Sequence, residues 1–174
     1  RILEKNVDPT KERFFLFPLH ILHEWGDFSW MGLKYPNVIN VIEECASCLP
    51  IGCKLYVKEH PSQFPEKSFS FYRSVKKIPN VRLIAHDEDN FNLIRNSEGI
   101  ITLGSTIGWE DFLLVKIVFV LVDIWYEHLP GVYKSRSPEH LAELLQKSVT
   151  LPVASKDDKV KAVYSLYESS FEGV

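Results

Sequence analysis

Long apolar runs are missing from this chain of 174 residues. The longest, Ile117 to Val122, falls far short of the ~20 residues that a membrane-crossing helix needs, so no such helix is expected. Cysteine is scarce: Cys45, Cys48 and Cys53 are the three present. An odd count argues against a disulfide framework and for a reducing compartment. Cys45 and Cys48 have Cys-x-x-Cys spacing, yet no fourth ligand stands near them, and they read as buried, inert thiols on one helix face. A basic stripe is absent and the net charge is −3, so a nucleic-acid backbone is not an expected partner. There is no Walker loop, because no glycine-rich turn ends in Gly-Lys-Ser/Thr. His20-Ile-Leu-His-Glu24 lacks the His-Glu-x-x-His order of a zinc helix, and no metal is expected. Internal repeats, low-complexity segments and a visible signal peptide are lacking too.

What remains is an ordinary globular composition, 45% hydrophobic and 25% charged. The length suits one domain with at most a short appendage, divided here as 1–155 and 156–174. Aromatics at 13% suggest a large core. Apolar runs predict strands over Arg13–Leu19, Cys53–Glu59, Val81–Ala85, Gly99–Leu103 and Ile117–Val122. Between them, helical spacing predicts helices over Pro36–Leu49, Phe69–Lys77, Asp89–Asn96 and Thr106–Val115. Asp89 or Asn90 would cap the third of these. Residues 20–35 and 61–67 read as loops, and Pro130-Gly131 marks another. Ser137-Pro138 looks like a helix start. A final amphipathic helix, Lys156–Phe171, carries Val160, Val163, Tyr167 and Phe171 on one stripe. Strands alternating with helices predict an α/β fold. It is a doubly wound parallel sheet of about five strands, Rossmann-like, with helices on both faces.

In such a sheet, ligands bind beyond the strands' C-terminal ends. Two strands here end abruptly in polar groups: Leu55-Tyr-Val-Lys-Glu-His-Pro61 and the strand leading into Gly104-Ser-Thr-Ile-Gly-Trp-Glu110. The proline keeps His60 extended, and alternation puts Tyr56, Lys58 and His60 on one face and Leu55, Val57 and Glu59 on the other. Lys58 and His60 suit a phosphate; a solvated strand end with a hydrogen-bonded histidine fits as well. Gly104, Ser105, Thr106 and Gly108 open a helix whose free N–H groups attract an anion, or they form a Ser/Thr cap with a small packing residue. Glu110 is not explained by a capping box and could accept hydrogen bonds from a ribose diol; an exposed acid near the helix N-terminus is the other reading. His20, His23 and Glu24 follow strand one, and Tyr126 lies after strand five. Each is a candidate for the cleft lining, or for packing beneath a loop.

Taken in order, Phe17-Pro-Leu-His20, Leu55 to Pro61, Phe71-Tyr-Arg73, Ile78-Pro-Asn-Val-Arg-Leu-Ile84, Gly104 to Glu110 and Leu129-Pro-Gly-Val132 resemble the C-terminal half of the capsule polysaccharide biosynthesis family. The similarity spans roughly residues 13–146. Members resemble bacterial GT-B glycosyltransferases that use CMP-activated acidic sugars such as Kdo. The resemblance implies that His60 contacts the donor phosphate and that Ser105, Thr106 and Glu110 line the nucleotide pocket. It implies a nucleotide-sugar substrate (CMP-linked favoured), no separate cofactor, a glycan acceptor, and an N-terminal domain outside this chain that supplies the catalytic carboxylate. A cytoplasmic location follows, with peripheral association at the membrane's inner face. The chain departs from the family pattern at Leu22-His23, at Val115-Lys116-Ile117 and at Val122. Two other functions compete: half of a non-hydrolysing UDP-sugar epimerase, and a non-catalytic interaction module.

Overall fold

A computed structural model describes residues 2–20, 37–61, 67–104, 109, 112–114 and 116–169. It holds β1 (Arg13–Pro18), α1 (Val38–Ser47), β2 (Cys53–Lys58), α2 (Phe69–Lys76), β3 (Val81–Ile84) and α3 (Asn90–Asn96). There follow β4 (Gly99–Thr102), β5 (Val118–Val120), β6 (Val132–Lys134), α4 (Pro138–Gln146) and α5 (Lys156–Ser169). Between β4 and β5, Trp109, Phe112 and Leu113 are helical. The strands form one parallel sheet in the order β3-β2-β1-β4-β5-β6.

The strands form where apolar residues can serve two faces at once. β1 is buried from Phe14 to Pro18 because it lies in the middle of the sheet. Period-two alternation sends Phe15 and Phe17 to one face, with Leu55, Val57, Ile101 and Phe119. Phe14 and Leu16 go to the other, with Tyr56, Ile84 and Ile100. The first face is covered by α1, α2 and α4 through Ile42, Val75 and Leu141. The second is covered by α3 through Leu93 and Ile94, and farther along by α5 through Ala162. The helices start where polar caps take up free N–H groups. Asn37, Ser68, Asp89 and Ser137 accept from Ile39, Phe71, Phe91 and His140 respectively, each stabilising its helix by about 1 kcal/mol. Pro138 occupies the first turn of α4, where its missing N–H costs nothing.

Three features differ from the sequence expectation or add to it. First, β6 is a sixth strand in a stretch read as loop; it is too short to show alternation. Gly131 delivers the chain to it with φ +84°, and a Cβ there would stand 2.9 Å from the Ala154 nitrogen. Second, the expected stripe of α5 faces outward: Val160, Val163 and Tyr167 are exposed, whereas Ala162 and Lys159 turn inward. The Lys159 ammonium donates to the Leu113 carbonyl at 3.1 Å. Third, the outer edge of β3 is covered by the N-terminal segment. Glu4 N–H donates to Leu83 O and Ala85 N–H donates to Glu4 O. The same segment supplies Glu4 and Glu12 to the Arg82 guanidinium, and Glu12 also accepts from the Tyr56 hydroxyl at 2.6 Å.

Candidate functional site at the sheet's C-terminal rim

The chain builds outward from β1 through β2 to β3, then returns to lay β4 against the other side of β1. The strand order therefore reverses between β1 and β4, and the crevice beyond such a reversal is where open α/β sheets bind ligands. Register brings the expected residues to that end. Pro18 pairs with Lys58, and Leu19 N–H continues the ladder to Lys58 O at 2.9 Å. Leu16 pairs with Ile100 on the other side. His60, His20 and Gly104 thus stand past the tips of three neighbouring strands, β2, β1 and β4. With strands about 4.8 Å apart, the two outer tips flank the central one at roughly 10 Å from each other. Gly104 has φ +105°, and its N–H donates to the Thr102 hydroxyl at 3.2 Å.

His20 is buried, and its pKa is pushed down to about 4, first by burial and then by the charges of His60 and Lys67. At neutral pH it is a neutral imidazole, able to donate or accept a hydrogen bond but not to act as a cation. His60 is half-buried. Ser105, Thr106, Gly108, Glu110, His23 and Glu24 lie outside the described residues.

Two expected site residues are buried. Lys58 is only 4% exposed. Its ammonium donates to the His86 carbonyl at 3.0 Å, and burial lowers its pKa against the opposing pull of Glu88 and Asp87. That bond ties it to the turn after β3, at the same end of the sheet. Tyr126 is 1% exposed and packs with Phe112, Val118, Val120 and Val132, so it is core and does not line the cleft. Its neighbour Trp125 is exposed and meets Trp109, with ring centroids 5.1 Å apart. These two indoles, with Leu129, Asp158, Lys161 and Leu166, line a groove of about 400 Å³. A larger groove, about 800 Å³, lies at the sheet's opposite end, among Glu43, Ser47, Ile51, Lys77 and Asn80.

Alternation alone sets Glu59 with Leu55 and Val57 and gives it no role in the site. Glu59 is 1% exposed, on the face of Leu55 and Val57 where alternation puts it. One carboxylate oxygen accepts the His60 N–H at 2.7 Å and the Lys67 ammonium at 2.8 Å. The other accepts the Tyr72 hydroxyl at 2.6 Å. Burial and that bond raise the Tyr72 pKa. The signal was the alternation itself; the partners come from 8 and 13 residues away and leave no local pattern.

The three thiols are buried, and burial raises the pKa of each. Cys48 donates to the Pro138 carbonyl at 3.2 Å. Among the described residues, no group of three or more His, Cys, Asp or Glu side chains is placed to hold a metal ion. No described helix is long and apolar enough to cross a membrane.

Solved structures share this fold at low identity. A protein assigned as a UDP-N-acetylglucosamine 2-epimerase, from Listeria monocytogenes, superposes with TM-score 0.55 at 15% identity, over 99% of this chain and 51% of its own. The β-Kdo 2,4 transferase of Thermosulfurimonas dismutans KpsC gives 0.52 at 18% identity, over 92% of this chain and 55% of its own. The β-Kdo 2,7 transferase of the same protein gives 0.52 at 14%, over 94% and 57%. The chain spans about half the length of these structures. No curated protein matches it. The family model for capsule polysaccharide biosynthesis proteins matches residues 3–143, and the chain, four-fifths of which that match covers, belongs to this family.

Proposed function

We propose that this chain is the donor-nucleotide half of a glycosyltransferase that builds a capsule or other surface polysaccharide. One observation carries the reading: His60, His20 and Gly104 share the rim at the reversal of strand order. The sugar would come from a nucleotide donor, CMP-linked in preference, and go to a glycan acceptor. His60 would stabilise charge on the departing phosphate. Ser105, Thr106, Gly108 and Glu110 follow β4 in sequence and would complete the pocket, the glutamate on the ribose. Lys58 would add its charge from beneath, with one of its N–H groups on the His86 carbonyl.

A second domain of similar length would supply the acceptor site and the catalytic carboxylate. Its natural seat is the outward stripe of α5, where Val160, Val163, Tyr164 and Tyr167 are exposed. The whole protein would work in the cytoplasm, at the inner face of the membrane. The superposition of 99% of this chain on about half of the Listeria protein favours one other reading, half of a UDP-sugar epimerase.

Calorimetry with CMP, UDP and GDP tests both readings. CMP binding that His60→Ala weakens at least tenfold supports the transferase reading. A preference for UDP moves the assignment to the epimerase. Binding of no nucleotide, or binding indifferent to His60→Ala, refutes the site.

A further inference from the structure

Burying a carboxylate is costly unless charge and hydrogen bonds compensate it, and Glu59 has a side chain with no exposed surface. An apolar residue in line with Leu55 and Val57 would fill the same space on the same face. What a carboxylate adds is direction. All the bonds it makes go to the stretch that carries His60 or returns from it. One is to the His60 N–H itself, one to Lys67, and one to Tyr72 on α2 behind them. Lys67 is buried as deeply as its partner, with 3% of its side chain exposed. It immediately precedes Ser68, the cap of α2, so the ion pair joins the tip of β2 to the start of that helix. Pro61 has no N–H and holds His60 extended. Pro61 thus offers no amide of its own, and Glu59 takes that of His60.

We infer that Glu59 is a positioning residue, whose buried carboxylate, held by Lys67 and Tyr72, fixes the His60 peptide and with it the imidazole at the rim. The inference rests on the nucleotide-site reading for its consequence, not for its geometry. Lys67 also bears on the neighbouring tip, since its charge is among those acting on His20.

The test compares the protein with a double variant, Glu59→Leu with Lys67→Met, which removes both charges together and leaves neither stranded. CMP is the probe, and two quantities are read: CMP affinity and hydrogen exchange at the His60 amide. The double variant is expected to melt within a few degrees of the parent, lose CMP affinity at least tenfold, and exchange its His60 amide at least tenfold faster. Adding His60→Ala to it should cost no more than about threefold further. A merely structural role predicts that affinity follows the melting temperature. Affinity within threefold of the parent, or an unchanged His60 amide, overturns the inference. If the double variant does not fold, Tyr72→Phe is read the same way, with about threefold effects expected and no effect overturning it. If the parent binds no nucleotide, the functional reading fails alone, and His60 amide exchange still decides whether Glu59 holds that peptide.

Discussion

Acid should weaken this fold through His20, and the size of the effect can be worked out. The imidazole has an ordinary pKa of 6.5 and a native one of about 4, because it is buried next to His60 and Lys67. Its native value is depressed, so between these two pH values the unfolded chain binds the proton and the native chain does not. Stability is then full above about pH 6.5, falls as the pH drops, and has lost the whole contribution by about pH 4. At about 1.4 kcal/mol per pH unit the gap totals about 3 kcal/mol, of which about 2 kcal/mol is lost between pH 7 and pH 5. For a domain of this size that corresponds to about 4–8 °C in melting temperature. The assay is thermal unfolding across pH 4–8 for the protein and for His20→Leu. The difference between the two curves isolates His20. The parent should lose about 4–8 °C more than the variant on going from pH 7 to pH 5. Parallel curves would show that the β1 tip is open to water, and the claim of a neutral imidazole in the crevice would fall.

Three further outcomes are expected. Gly99→Ala should destabilise by about 1–3 kcal/mol in urea unfolding, because its Cβ would meet the Ile117 carbonyl and the Phe119 ring, each at 3.0 Å; an unchanged midpoint would mean that β4 and β5 can separate. Tyr56→Phe should cost only about 1 kcal/mol, since Glu12 and Arg82 remain paired with each other after the hydroxyl goes; a loss above about 3 kcal/mol would make that hydroxyl a keystone. Val163→Ser with Tyr167→Ser should leave the melting temperature of this chain within about 2 °C, because both side chains are exposed; a larger drop would mean that the stripe packs within the chain.

The residues that were legible are those whose neighbours in sequence are also their neighbours in energy. Phe14 to Phe17 are apolar in both alternating sets, which announces a strand covered on both faces. Asp89 and Ser137 announce their helices because a cap acts within two or three residues. Val132–Lys134 escaped because three residues hold no period, and the strand exists only because β5 offers it an edge. The site was half legible. Alternation placed Glu59 on the core face, but not the Lys67 and Tyr72 that neutralise it there. The burial of Lys58 left no local sign, because a lysine at a strand end normally reaches water; here the turn after β3 presents the His86 carbonyl within its reach. Tyr126 was misread because a loop residue after a strand tip is usually open, and here α5 closes over it through Ala162.

The segment that runs alongside β3 changes what the first dozen residues are for. Trimming them would remove no loose tail. It would strip Arg82 of both its carboxylates at once and bare the Leu83 carbonyl and the Ala85 amide on the outer edge of β3, an invitation to pair with another molecule. A shortened protein would be expected to stick to itself as well as to lose Leu3 from its core.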